Sequence, residues 1–300
     1  MNRGVLITGA SGLVGTALVA LLHQRGYHVF QLSSTVHHPE KKIFKWDYQN
    51  NIFPDHIIPH IDYIIHLAGA SVADGRWTAN RKKEIYNSRI GTANFLFEKF
   101  CSNRKKLIGF ITSSATGWYG NKSTPCNETL PAANDFLGAT CLAWEEAGLQ
   151  FHKISQFTCC IRTGVVLSSK GGALPVMAAP VKFFLGAPLG SGHQIIPWID
   201  LDDLCNIYLH VIEHQLSGSY NAAAPSITSN ALFIKTLSQF FKRPFWNFPV
   251  PAFFLRALLG EKSAIVLHGQ NIDSSKIINT GYNFKFIKLF EALQNSYDGS

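Results

Sequence analysis

Most of the residues in this chain that could do chemistry lie between positions 113 and 193. Ser114 follows an apolar run, where its hydroxyl could hydrogen-bond a substrate carbonyl or alcohol or could simply cap local backbone. Tyr119, in Gly117-Trp118-Tyr119-Gly120, is the only nearby phenol; it is either a surrogate proton donor or a packed loop anchor. Glu128 and Asp135 frame the next loop and could polarise water or hold a hydroxyl, although Asp135 also stands where a helix beginning near Phe136 needs its N-cap. Arg162 ends a second apolar run. A guanidinium there could clamp a phosphate or carboxylate, or form a structural ion pair with Asp200 or Asp202. His193, after Gly190-Ser191-Gly192, reaches a ligand under a cap or is solvated. The six cysteines form no C-x-x-C pair and have no metal-ligand spacing with the twelve histidines, so no metal site is expected and a reducing, cytoplasmic compartment is.

These residues need a scaffold, and the N-terminus announces one. Val5-Leu6-Ile7-Thr8 runs into Gly9-Ala10-Ser11-Gly12-Leu13-Val14-Gly15 and then into an amphipathic stretch with Val14, Ala17, Leu18, Leu21 and Leu22 at helical spacing. Glycines at this spacing permit a tight strand-to-helix turn and close approach of a pyrophosphate to the helix N-terminus. Gly26 then stands where the helix end needs a left-handed residue. An acidic residue about 20 positions after such a loop holds the ribose of NAD. Here the second strand ends Gln31-Leu32-Ser33-Ser34-Thr35 without a carboxylate, which favours NADP(H) over NAD(H), with His37, His38 or Lys41 near a 2′-phosphate.

Apolar runs at 4–8, 28–32, 42–46, 63–68, 107–113 and 157–167 read as strands, and 80–102 and 136–152 as helices. Their alternation predicts an α/β, Rossmann-like, doubly wound parallel sheet. The glycine- and proline-rich stretch after Leu167 and the aromatic, irregular stretch after Ala223 predict a small C-terminal cap domain. The expected division is 1–167 and 195–222 for the dinucleotide-binding domain, and 168–194 and 223–300 for the cap. A 46% hydrophobic and 15% charged composition suits a chain with a large core. The net charge of +8 is scattered in short clusters without a nucleic-acid motif, so no nucleic-acid partner is expected, and an anionic small molecule would be steered equally well. No membrane partner is expected, since prolines and Lys182 break the longest apolar stretch after position 170.

The loop Thr8-Gly9-Ala10-Ser11-Gly12-Leu13-Val14-Gly15, followed by His66-Leu67-Ala68-Gly69-Ala70 and Ile111-Thr112-Ser113-Ser114-Ala115-Thr116, resembles the extended short-chain dehydrogenase/reductases, the superfamily of nucleotide-sugar epimerases and dehydratases. Further blocks are similar to its YfcH-like branch: Arg76-Trp77-Thr78, Asn87-Ser88-Arg89, Arg162-Thr163-Gly164, Gly171-Gly172-Ala173-Leu174, Pro188-Leu189-Gly190-Ser191-Gly192 and Trp198-Ile199-Asp200. The resemblance implies that Gly9, Ser11, Gly12, Leu13, Val14, Gly15, Ser33, Ser34, Leu67, Ala68, Gly69 and Ser113 hold an NAD(P) cofactor. It implies Ser114 for catalysis; the residues themselves add Tyr119 as a surrogate acid, and Ala70, Arg162 and His193 as candidates to meet a small, anionic or sugar-like substrate. Active members carry a Tyr-x-x-x-Lys pair; here the two positions fall on Leu137 and Cys141, which can neither titrate as a phenol nor supply a cation. The branch as a whole lacks the pair. It commonly has an arginine just after the second strand, where this chain has Ser34. Superfamily members often dimerise through main-domain helices, for which 80–102 and 136–152 are the candidates. The leading expectation is an NAD(P)-dependent oxidoreductase or epimerase-like enzyme; the alternative is a non-catalytic NADP(H) sensor or regulatory protein.

Overall fold

Strands whose side chains are apolar on both faces must be covered on both faces, and the chain satisfies this with a parallel sheet between helical layers. The structure, a computed structural model, describes residues 3–298. Its strands are β1 (Gly4–Thr8), β2 (His28–Ser33), β3 (Ile43–Lys45), β4 (Tyr63–His66), β5 (Leu107–Ala115), β6 (Lys122–Cys126), β7 (Ser155–Thr163), β8 (Val165–Leu167), β9 (Trp198–Asp200), β10 (Gly218–Ala222) and β11 (Gln270–Ile272). Its helices are α1 (Leu13–Gln24), α2 (Ala79–Ser102), α3 (Phe136–Leu149), α4 (Ala173–Lys182), α5 (Leu201–His214), α6 (Asn230–Phe240), α7 (Ala252–Leu259), α8 (Ala264–Leu267), α9 (Ser275–Ile278) and α10 (Leu289–Asp298).

Seven strands form one wholly parallel sheet in the order β10-β7-β5-β4-β1-β2-β3, the Rossmann-like, doubly wound arrangement. The order reverses between β1 and β4, so a crevice opens beyond their carboxyl ends. Alternation along the strands feeds two cores. Val5, Ile7, Tyr63, Ile65 and Ile111 face Leu18 and Leu22 of α1 and Ile207, Tyr208 and Val211 of α5. Leu6, Ile64 and Phe110 face Phe95, Leu96 and Phe100 of α2 and Phe151. A third cluster joins α4, α6 and α10 around Trp198, Phe233 and Leu237.

Two departures from the sequence reading have identifiable causes. The run 157–167 breaks at Gly164, where a Cβ would lie 2.3 Å from Pro197 O; beyond it, β8 leaves the main sheet and pairs with β9. The stretch after Ala223 contains a regular helix, α6, N-capped by Ser229 Oγ accepting from Leu232 N, with Phe233, Ile234 and Leu237 buried. Its helical spacing is outweighed in the sequence by the aromatics and prolines that follow. β11, from the last fifth of the chain, pairs with β6, tying the C-terminal helical region to the loop after β5. No described helix is long and apolar enough to cross a membrane.

Candidate active site

At the β1–α1 turn the three glycines answer to different constraints. Gly9 has φ +68°, and a Cβ there would meet Leu67 backbone at 2.9 Å. Gly15 lets α1 pack on the turn, since a Cβ would fall 2.2 Å from Gly9 O. Gly12 differs: its φ is −75°, and a Cβ would meet only Gly9 O, at 3.3 Å. The protein's own packing therefore asks least for glycine at position 12, the position that a pyrophosphate must approach most closely. Helix α1 has no side-chain cap and no acidic residue in its first turn, so its N-terminal N–H groups and partial positive charge are uncompensated, as an anionic ligand requires. These residues fit a dinucleotide. At the far end of the site, Ser33 Oγ accepts from Thr35 N and Val36 N, and Ser34 is exposed.

The residues singled out after β5 form a closed network. Arg162 on β7 grips Glu145 of α3 bidentately, Nε to Oε1 at 2.8 Å and Nη2 to Oε2 at 2.9 Å, with both side chains almost wholly buried. The partner is Glu145, not Asp200 or Asp202; Asp200 instead caps α5 and accepts from Asn295. Ser114 donates to Glu145 Oε1 at 2.6 Å and Ser219 to Oε2 at 2.9 Å. Arg162 Nη1 donates to the Tyr119 hydroxyl at 3.0 Å, and that hydroxyl donates to Asn221 Oδ1 at 2.7 Å. The guanidinium also lies 3.6 Å from the centre of the Trp118 ring. Burial works against the Arg162 charge, yet the bidentate carboxylate outweighs it and raises the group's pKa above the ordinary value. Burial pushes Tyr119 up to about 12, with Arg162 opposing, so the phenol keeps its proton at neutral pH.

Two cavities adjoin this network and share walls made by Arg89, Ala115, Trp144 and Thr163. The smaller, about 220 Å³, lies at the crevice between Val14, Leu67, Ser113, Ser114 and Tyr208. The larger, about 460 Å³, extends from it past Leu137 and Cys141 towards α8. Burial, with Glu145 adding, raises the Cys141 thiol to about 11. It is therefore no thiolate, and neither residue at the usual Tyr-x-x-x-Lys positions brings charge or a titratable phenol to the cavity.

A cation enters from α2 instead. Arg89 Nη1 donates to Ala70 O at 3.0 Å and Ile85 O at 2.9 Å, and its guanidinium sits 4.9 Å from the Trp144 ring centre. Gly69 makes room for it: a Cβ there would lie 2.9 Å from Arg89 Cζ. Burial pulls Arg89 down to about 10, which still leaves it charged at neutral pH. The Trp144 wall is set by His66, which burial, with Arg89 adding, holds neutral by lowering its pKa to about 3. Thr92 Oγ donates to Ser88 O at 2.7 Å, so His66 Nε2–H donates to Thr92 at 2.9 Å and Nδ1 is left to accept from Trp144 Nε1 at 3.4 Å.

The structure thus brings Ser113, Ser114, Leu67 and the glycine loop to one crevice and puts Arg162 and Tyr119 behind its wall. Ala70 serves through its backbone, accepting from Arg89 and donating to Ser88 Oγ. His193 is exposed and lines neither cavity. Asp135 caps α3 by accepting from Gly138 N, and Glu128 accepts from Asn221 N. Sequence reasoning missed Arg89 and Trp144 as wall residues; the only signal was the block Asn87-Ser88-Arg89, whose role needed the fold. Among the described residues no group of three or more His, Cys, Asp or Glu is placed to hold a metal.

Comparison with known proteins fits this geometry. Residues 5–223 match the NAD dependent epimerase/dehydratase family, and residues 250–296 match a domain of unknown function, DUF1731. The epimerase family protein YfhF of Bacillus subtilis is 34% identical over 96% of each chain. The epimerase family protein SSP1921 of Staphylococcus saprophyticus is 36% identical over 97% of this chain and 98% of its own. Among solved structures, the human epimerase family protein SDR39U1 (isoform 2), determined with NADPH, is 29% identical, covers 99% of this chain and 100% of its own, and superposes with a TM-score of 0.88. With a family match over more than half its length and relatives of this identity along nearly all of it, the chain belongs to the NAD dependent epimerase/dehydratase family, among the extended short-chain dehydrogenase/reductases.

Proposed function

We propose that this protein is an oxidoreductase of the epimerase/dehydratase type that binds NADP(H) in preference to NAD(H) across the β1–β4 crevice. The observation that carries the reading is Gly12, where among the three glycines of the turn the protein's own packing opposes a side chain least, at an uncapped helix N-terminus. When bound, the dinucleotide supplies hydride transfer at its nicotinamide. The chain's residues orient it: the Gly9 turn and α1 N–H groups hold the pyrophosphate, Leu67, Ala68 and Ser113 wall the nicotinamide end, and Ser33 and Ser34 accommodate the adenosine ribose. The end of β2 has no carboxylate to repel a 2′-phosphate, and the human relative solved with NADPH supports the same preference.

Ser114 has donated its hydrogen to Glu145, so towards a substrate its oxygen acts as an acceptor for a hydroxyl. Tyr119 is a positioning residue that works through Arg162. The substrate is a small molecule whose body sits in the larger cavity and whose reacting end reaches Ser114 in the smaller one. Six free cysteines support a cytoplasmic location, and the exposed Tyr86, Leu142 and Leu149 support a homodimer through α2 and α3.

Energy transfer from the protein's tryptophans to bound NADPH and NADH tests the cofactor reading. Saturable binding is expected, with NADPH at least about tenfold tighter, a difference of about 1.4 kcal/mol. Gly12→Val, checked for folding by circular dichroism, should abolish it. Absence of binding by either dinucleotide in the unaltered protein overturns the reading.

A further inference from the structure

Arg89 is a half-buried cation whose requirements the protein does not complete. Its Nη1 hydrogens reach Ala70 O and Ile85 O, but among the described residues neither Nε nor Nη2 has an acceptor, and no carboxylate pairs with the group. Neither atom is sealed from solvent, so an acceptor can reach both from the cavity side, and a charge partly withdrawn from water gains most from an opposite charge with matching hydrogen bonds. Arg162, one helix away, shows how this chain meets that need when the purpose is internal. Arg89 is instead held at the boundary of the two cavities by the Gly69 gap and the Trp144 ring.

What surrounds Arg89 limits what could answer it. The larger cavity is walled by Val72, Trp77, Phe136, Leu137, Trp144 and Ile265, so its occupant needs an apolar body. Arg89 is the one arginine or lysine among its lining residues, whereas of the two carboxylates on its border Asp135 caps α3 and Glu261 is paired with Lys82. A diphosphate, with several negative charges, would find one cation without a carboxylate partner, Lys82 being already held by Glu261, and the Asp135 carboxylate as a like charge; a single carboxylate would find a guanidinium whose planar fork suits it.

We infer that the larger cavity binds an apolar molecule carrying one carboxylate, and that Arg89 receives that carboxylate. The inference deepens the proposed oxidoreductase reading, on which it rests for the identity of the occupant as substrate. It sets this chain apart from enzymes that take nucleotide sugars.

Isothermal titration with 4-phenylbutanoate, its neutral isostere 4-phenylbutan-1-ol, and UDP-glucose tests this on the full chain, with and without saturating NADPH. The carboxylate should bind at least tenfold tighter than the alcohol in both conditions. Arg89→Met should erase that preference, and Arg89→Lys should restore part of it. The comparison of acid with alcohol in the unaltered protein needs no variant, so it stands even if a substitution impairs folding. Equal binding of acid and alcohol, no binding of the acid, tighter binding of UDP-glucose, or loss of the preference when NADPH is added would each overturn the inference. NADPH binding is read separately. A carboxylate preference without NADPH binding would sink the oxidoreductase reading and leave the anion site standing.

Discussion

Two arginines flank α3, and they meet opposite fates. Arg162 is sealed between Glu145, Tyr119 and Trp118, with its charge neutralised in place. Arg89 is braced by two carbonyls and a tryptophan face and left without a counter-ion beside an apolar cavity. Both reach residues distant in sequence, Arg162 to Tyr119 and Arg89 to Trp144, and both belong to short motifs. A residue's chemical type therefore says little about its role; whether the fold supplies the partner says much. Where the partner is internal, the charge holds strands and helix together. Where it is missing, the site is completed from outside.

The sharpest way to break this contrast is to remove one half of the closed pair. Glu145→Gln leaves Arg162 buried without a charge partner and should cost about 3–5 kcal/mol in urea unfolding, while the double change Glu145→Leu with Arg162→Met should recover most of it. If the single change costs less than about 1 kcal/mol, the network is not structural, and Ser114 and Tyr119 regain a claim to direct chemistry.

A smaller effect is expected at the wall that braces the open arginine. His66 is neutral in the folded protein down to about pH 3, whereas in the unfolded chain it takes up a proton near pH 6.5. Between those values the unfolded state holds the extra proton, so stability falls as pH drops, by about 1.4 kcal/mol per pH unit, and is unaffected above the upper limit. Burial raises Asp200 to about 6, which contributes in the opposite sense between its unfolded value and that pH. The stability of the unaltered protein minus that of His66→Gln, followed by denaturation from pH 7 to pH 4, isolates the histidine. A difference independent of pH would remove His66 as a neutral prop for Trp144.

The smallest effect on stability should come from Arg89 itself. In Arg89→Met, loss of two hydrogen bonds and a ring contact is offset by relief of a half-buried charge without a carboxylate partner, for a net change within about 1 kcal/mol. Thermal unfolding of this variant beside Arg162→Met measures the asymmetry directly. Equal losses would place both arginines in the structural class.

Much of the scaffold was legible because its signals are local. Glycine spacing at 9, 12 and 15, the helical repeat of Val14, Leu18 and Leu22, and the apolar runs of β1, β4 and β5 each report on a few neighbouring residues, and the Rossmann-like sheet follows from their alternation. The end of β7 was misread because Gly164 answers to Pro197, 33 positions away, which no local pattern displays. Ser114, Tyr119 and Arg162 were singled out one by one for separate roles, but the bonds that join them were not visible, since they run through Glu145 on α3, which no local pattern marks.

By itself the sequence determined the family, the parallel sheet and the phosphate-ready turn, because those depend on backbone conformation and short-range periodicity. It also showed that Leu137 and Cys141 cannot act as the usual pair. Only the tertiary structure decided that Arg162 is satisfied and Arg89 is not. Charge satisfaction is a property of partners brought together from α2, α3, β4 and β7, and the chain records those partners nowhere as a local pattern.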